Sequence, residues 1–254
     1  MIRYKSKDEI QKIRRAARIV HDTLLKVEEN VQPGITLKEL DTIAEDYIRS
    51  QGAIPGFKGL YDFPATLCTS PNDMVVHGIP DNTVLNEGDI VGVDCGAIVD
   101  GFYGDHAKTF AVGEISAELQ KLLDVTRESL YRGIEQCVPG NHLNDIGHAI
   151  QSFCESHGYS VVRELVGHGI GRDLHEDPQV PNYGIAGTGV ELKDGMCLAI
   201  EPMINAGKKE IFTGKDGWAV MTTDGHMSAH FEHTIAITQD GAVVLSTAEE
   251  TVFD

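Results

Sequence analysis

The sequence predicts an α+β fold built as two similar halves, each a helix–helix–strand–hairpin unit, sharing one sheet and one core. Three observations carry this. Four stretches place apolar residues at helical spacing. Short apolar runs are closed by Asp-Gly turns, as in antiparallel hairpins. The two kinds of segment then recur in the same order. Pro33-Gly34-x-x-Leu37-x-x-Leu40 is answered by Pro139-Gly140-x-x-Leu143-x-x-Ile146, and Gly52 by Gly158 at the same offset. His77-Gly78-Ile79 is answered by His168-Gly169-Ile170, Leu85-x-x-Gly88 by Leu192-x-x-Gly195, Asp94 by Glu201, and Asp105-His106 by Glu232-His233. The reading is one domain over residues 1–254, with halves of approximately 1–113 and 114–254 related by an approximate two-fold.

In chain order, Ser6-Lys7-Asp8-Glu9 is a capping box, and Ile10, Ile13, Ala17, Val20, Leu24 and Val27 carry a helix to about Asn30. Thr36-Leu37-Lys38-Glu39 opens a second helix, with Leu40, Ile43, Ala44 and Tyr47 on its apolar face and an end near Gly52. Residues 55–71, PGFKGLYDFPATLCTSP, make a long connection of the kind that often binds something; a loop merely wrapped over the surface fits this segment equally well. Ile90–Val93 reads as a strand buried on both faces, and Asp100-Gly101 as a tight hairpin turn. That turn pairs Val99 with Phe102 and sets Gly96 opposite Asp105. Asp94 shares the face of Gly96, so Asp94 and Asp105 become diagonal neighbours with open space beside Gly96. Leu119, Leu122, Leu123, Leu130 and Ile134 mark a third helix; Leu143, Ile146, Ala149, Ile150 and Phe153 mark a fourth, ending near Gly158. Strands are expected at 160–165, through Ile200-Glu201, at 218–223 and at 226–238, with hairpin turns at Asp224-Gly225 and Asp240-Gly241.

Two acids on buried strands are costly unless something neutralises them. No Lys or Arg lies between Asp94 and Asp105, and Lys108 is the nearest. A divalent cation fits better than a solvated hairpin. Oxygen ligands suit Mg, Mn or Ca, and an added histidine suits Fe, Co or Zn. The repeat brings Glu201 and Glu232 to the same two-fold, with His77 or His168 as a nitrogen ligand and the other as a nearby donor. Four carboxylates and an imidazole exceed the needs of one ion and suit two, which together can activate a water. Spacing alone allows either Glu201 or Glu232 as the base.

The formal net charge of −18 disfavours duplex nucleic acid as a partner and suits a cationic ligand such as a free amine. The five cysteines are odd in number, widely spaced and without C-x-x-C, as in reduced thiols of a cytoplasmic protein. No run of about twenty apolar residues suggests a membrane span, and MIRYKSKDEIQKIRR lacks the apolar core of a secretory signal.

VVHGIP at 75–80, VDCGAIVDGFYGD at 93–105, GHGIGRDLHEDPQVPNYG at 167–184, AIEPM at 199–203 and DGWAVMTTDGHMSAHFEHTI at 216–235 resemble type I methionine aminopeptidase over nearly the whole chain. The insertion that marks type II enzymes is absent. The resemblance implies the pita-bread fold: a curved antiparallel β-sheet covered by α-helices. It implies two divalent ions (Co, Mn, Fe, Zn or Ni) on Asp94, Asp105, His168, Glu201 and Glu232, and a monovalent cation (Na or K) at Asn72, Met74 and Ser228. It gives Glu201 the role of base, with His77 and His175 hydrogen-bonding the substrate. The methionine pocket would fall on Phe57, Leu60, Phe63, Cys68, His77, Leu174 and Trp218. Phe57, Leu60 and Leu174 depart from common bacterial members, which carry a cysteine, a tyrosine and a phenylalanine there. His230 stands where many members have glutamine. The implied substrate is a peptide or nascent chain with N-terminal methionine and a small second residue, cut by a monomer in the cytoplasm. Lys208, Lys209 and Lys215 are the candidates for a transient ribosome contact. The rivals are an Xaa-Pro peptidase of the same fold, usually with an additional N-terminal domain, and a non-catalytic binding module, disfavoured because all five ligand positions are intact.

Overall fold

The computed structural model describes residues 1–248; residues 249–254, the end of the expected second half, lie outside the described residues. Helix α1 (Lys7–Glu28) starts where Ser6 and Glu9 cap each other, each side chain accepting from the other's backbone N–H. Helix α2 (Leu37–Ser50) starts in the same way at Thr36 and Glu39. Such reciprocal caps satisfy donors that the helix cannot. Helix α3 (Ala117–Ile134) is capped by Ser116, and α4 (Leu143–Ser156) by Asp145, which accepts from the His142 N–H at 2.7 Å. The first pair of helices shares a core with Leu67, Val91 and Val93; the second pair covers Leu198, Ile200 and Ile235.

The strands of the first half are β1 (Ile54–Pro55), β2 (Leu67–Pro71), β3 (Met74–Val76), β4 (Ile90–Val99) and β5 (Phe102–Ala111). Those of the second are β6 (Ser160–Val161), β7 (Gly167–Gly169), β8 (Glu176–Val180), β9 (Cys197–Ile200) and β10 (Met203–Asn205). They continue as β11 (Ile211–Thr213), β12 (Val220–Thr222), β13 (Ser228–His230), β14 (His233–Thr238) and β15 (Gly241–Val244). All pairings are antiparallel.

Hydrogen bonds repeat between the halves. Gly34 N–H reaches Leu85 O at 2.8 Å, and Gly140 N–H reaches Leu192 O at 3.0 Å. Gly88 N–H bonds Val112 O, as Gly195 N–H bonds Ile237 O. Gly34 and Gly140 both sit at strongly positive φ (97° and 93°), a conformation that glycine adopts without cost.

Among the described residues the strands form four ladders instead of one continuous sheet: β4 flanked by β5 on one edge and by β1 and β2 on the other, then β13-β10-β6, β11-β12-β3 and β15-β14-β9-β7-β8. The halves meet where β5 runs beside β14. There the Glu232 N–H donates to Ala107 O at 2.9 Å, and the Thr234 hydroxyl accepts from the Asp105 N–H at 3.0 Å and donates to Asp105 O at 2.7 Å. A side chain thus stands in for a missing rung of the ladder.

Several strands are shorter than the sequence suggests. Of the 160–165 run, Ser160 and Val161 pair with β10, and the Val162 N–H adds one bond to Met203 O at 3.1 Å. The strand expected through Glu201 stops at Ile200, because Pro202 cannot donate to a ladder. The run 226–238 breaks at Phe231-Glu232, where β13 pairs with β10 and β14 with β9. Asp224-Gly225 closes no hairpin, since β12 pairs with β11 and β3; Asp224 instead accepts from the Lys208 and His226 N–H groups. The turn before β15 does form a hairpin, with Thr238 paired to Gly241.

Candidate metal centre and substrate pocket

The central hairpin has the expected register: Val99 faces Phe102, Gly96 faces Asp105, and Asp94 faces Ala107. The space beside Gly96 is not open, however. The Phe57 ring fills it, lying where any Cβ would clash.

Five side chains from both halves line one cavity of about 200 Å³. Asp94 and Asp105 come from β4 and β5, His168 from β7 at a register shift, Glu201 from just past β9, and Glu232 from the break between β13 and β14. Asp105, His168 and Glu232 each present a ligand atom within 4.8 Å of the others. His168 Nε2 lies 3.8 Å from Asp105 Oδ2 and 3.7 Å from Glu201 Oε1. Of the two histidines left open by the repeat, His168 joins this group, while His77 lines the same cavity from a strained backbone at φ 64°.

Asp94 Oδ1, Asp105 Oδ1 and Glu232 Oε1 are buried and have no hydrogen-bond partner among the described residues. Lys108 does not help them; it pairs with Glu28 at 2.7 Å. Burial pushes the Glu201 carboxyl up to about 8, and burial above all raises Asp94 to about 6. Asp105 and Glu232 are held well above the ordinary carboxylate range, first by burial and then by each other's neighbouring acids. Unpartnered carboxylate oxygens around one imidazole are a donor set for divalent cations, so the residues present fit the metal that the sequence implies.

His77 and His175 flank the centre. Burial lowers His77 to about 4 and lowers His175 as well, so both are neutral N–H donors near pH 7. The His175 ring meets His168 edge-on at 4.5 Å. Phe57, Leu60, Phe63, Cys68, Leu174 and Trp218 line the remainder of the same cavity. Phe63 and Trp218 meet edge to face at 5.0 Å. Cys68 is paired with Asp94 across β2 and β4, and burial pushes its thiol up.

The sequence reading missed Tyr61, Val76, Leu165, Val166 and Met203, which also line the cavity. Met203 stands in the AIEPM stretch already singled out, which was its signal. Tyr61 had only its place in the long 55–71 connection: it sits there at φ 50° and stacks 6.0 Å from His175. Away from the cavity, Ser228 N–H donates to Asn72 O at 2.9 Å, and Met74 begins β3, which lies against β13. Lys208, Lys209 and Lys215 are exposed around β11. No helix among the described residues is long and apolar enough to cross a membrane.

A profile of metallopeptidase family M24 matches residues 11–239. The chain is 52% identical over 250 residues to a methionine aminopeptidase of Clostridium acetobutylicum, covering 98% of this chain and all of that protein. The crystal structure of methionine aminopeptidase from Rickettsia prowazekii superposes with a TM-score of 0.96 at 43% identity, covering 97% of this chain and 100% of that one. The prolidase from Pyrococcus furiosus, 24% identical, superposes at 0.80 over 97% of this chain and 66% of its own, a likeness of fold alone. The architecture is therefore the pita-bread fold, and the chain belongs to metallopeptidase family M24, among its methionine aminopeptidases.

Proposed function

We propose that this protein removes the N-terminal methionine from peptides and nascent proteins whose second residue is small. The observation that supports this best is that buried, unpartnered carboxylate oxygens of Asp94, Asp105 and Glu232 line one cavity with His168, which lies within ligand range of Asp105 and Glu232, and that the same cavity is lined by Phe57, Phe63, Leu174 and Trp218. Asp94, Asp105, His168, Glu201 and Glu232 would hold two divalent ions, drawn from Co, Mn, Fe, Zn or Ni. When bound, these supply Lewis acidity towards the scissile carbonyl and an acidified water. Glu201 takes the proton of the attacking water. His77 and His175 donate N–H bonds to the substrate and favour the charge that develops on its carbonyl oxygen. The methionine side chain, long and polarisable, lies against the aromatic and sulfur-bearing walls. The products are free methionine and the shortened chain.

A monovalent cation, Na or K, would be held by Asn72, Met74 and Ser228. Residues 1–254 act as one catalytic domain, as a monomer in the cytoplasm, with Lys208, Lys209 and Lys215 facing the ribosome during a transient contact.

One experiment compares bound metal and hydrolysis of a Met-Ala peptide with that of an Xaa-Pro peptide. Met-Ala should be cut and Xaa-Pro spared. Asp105→Ala should lower metal content and abolish cleavage. His175→Ala should keep its metal and lose about 10²–10³-fold in rate. Preference for the Xaa-Pro peptide, or full activity and metal content in Asp105→Ala, would overturn the reading.

A further inference from the structure

The geometry points to His230 as the residue that positions Glu201 for proton transfer, a role that rests on the reading of Glu201 as the base. His230 is 3% exposed, and its backbone is locked from both sides. Its N–H donates to the Thr109 hydroxyl at 2.9 Å, which in turn donates to the His230 carbonyl at 2.8 Å, and β13 pairs it with Met203. The imidazole therefore has a fixed origin. Its Nε2 has no hydrogen-bond partner among the described residues, and it lies 3.4 Å from Glu201 Oε2. The other oxygen of the same carboxylate, Oε1, faces His168 Nε2 at 3.7 Å.

Glu201 thus stands between two imidazoles, one addressed to each oxygen. The terminal torsion of a glutamate is soft, so a metal contact at one oxygen still leaves the direction of the group loose. An Nε2–H of His230 on Oε2 fixes the plane of the group and with it the direction of Oε1. Catalytic hydrogen bonds of this kind are often long before substrate binds. Misplacing a reacting group by an ångström can cost about 10²-fold in rate. His230 touches neither substrate nor the reacting bond in this account; it acts through Glu201.

Side-chain reach separates this role from others. A glutamine amide nitrogen extends about as far as imidazole Nε2, whereas an asparagine amide stops near Nδ1. The expected order of kcat on Met-Ala-Ser is wild type and His230→Gln together, then His230→Asn and His230→Leu lower by about 10–100-fold. KM should stay within about threefold throughout. Affinity for Co²⁺, titrated calorimetrically, and the visible spectrum of the Co²⁺ protein should be the same in all four. If His230→Leu does not fold, the Gln and Asn variants decide the matter. Equal kcat in those two would overturn the proposal. So would a tenfold or larger loss of Co²⁺ affinity with a changed spectrum in His230→Asn, which would make His230 a ligand. Glu201→Gln in the same assays separates the two levels. If it retains kcat, the base assignment fails, whatever His230 does.

Discussion

Trp218 lines the cavity with its ring against Phe63, and its backbone is pinned by Asp216 Oδ1, which accepts from the N–H groups of Trp218 and Ala219. Half-buried on a pinned loop, the ring can be a pocket wall or simply core. The two roles differ in what they move. An apolar pocket discriminates by shape, at about 1–3 kcal/mol per methylene. Trp218→Leu should therefore stay folded while its relative rates on Met-Ala, Leu-Ala and Met-Val peptides shift by roughly tenfold. Fixed ratios with a lowered melting temperature would make the residue core. Legibility at this scale followed from regularity. Asp94 and Asp105 could be placed because a two-residue turn fixes the register of everything before it. The sequence marked His230 only as standing where many members have glutamine, since spacing in one strand cannot say that its ring comes near Glu201 on another segment. Phe57 over Gly96 and Tyr61 beside His175 were beyond reach for a plainer reason: both lie in a loop with no period to read.

The helices were legible to within about two residues of their ends, since capping boxes are written in the sequence itself. The strands were not, because a strand ends where its partner does. Between these lies the segment before α1, which a sequence reading treats as a lead-in. It is a clamp. Lys5 N–H bonds Gly195 O at 2.7 Å, and its Nζ meets Glu176 Oε2 at 2.5 Å. Both side chains are nearly inaccessible, 5% and 4%. Glu176 Oε1 accepts from the Arg172 N–H at 2.9 Å, so the same carboxylate folds the turn that presents Leu174 and His175 to the cavity. Lys5, with backbone donors, holds Glu176 below its ordinary value against the opposing effect of burial. Removing one partner of a buried pair leaves an uncompensated charge. Lys5→Met should then lower stability by roughly 3 kcal/mol and lower kcat, without loss of metal. Adding Glu176→Gln should recover part of the stability, because neither charge then remains. A single variant with unchanged melting temperature and kcat would show that the arm does not hold the His175 turn.

At the scale of the whole molecule, the repeat of turns and acids was visible because it is local, whereas the division into four ladders depends on which strand edges meet. The meeting place matters for stability. Both halves aim acids at a common cavity, so their burial couples the fold to proton and metal binding. Glu201 is raised from 4.5 to about 8 in the folded protein, so without metal the folded state holds a proton that the unfolded chain releases. That contribution is present below about pH 4.5 and is lost as pH rises through about 8. Asp105 and Glu232 act in the same direction. The buried histidines oppose them: His77, His168 and His233 are lowered from 6.5 to about 4, which adds stability as pH rises to 6.5 and nothing beyond. Above pH 6.5 the carboxyls alone remain. The melting temperature of EDTA-treated protein should accordingly fall between pH 6.5 and pH 8. Divalent ions bind the ionised carboxylates, so the rise in melting temperature on adding Mn²⁺ should grow over the same interval. Thermal unfolding at four pH values, with EDTA and with Mn²⁺, reads both slopes. Parallel curves, with a metal effect independent of pH, would mean that the acids do not share protons and metal as the cavity implies.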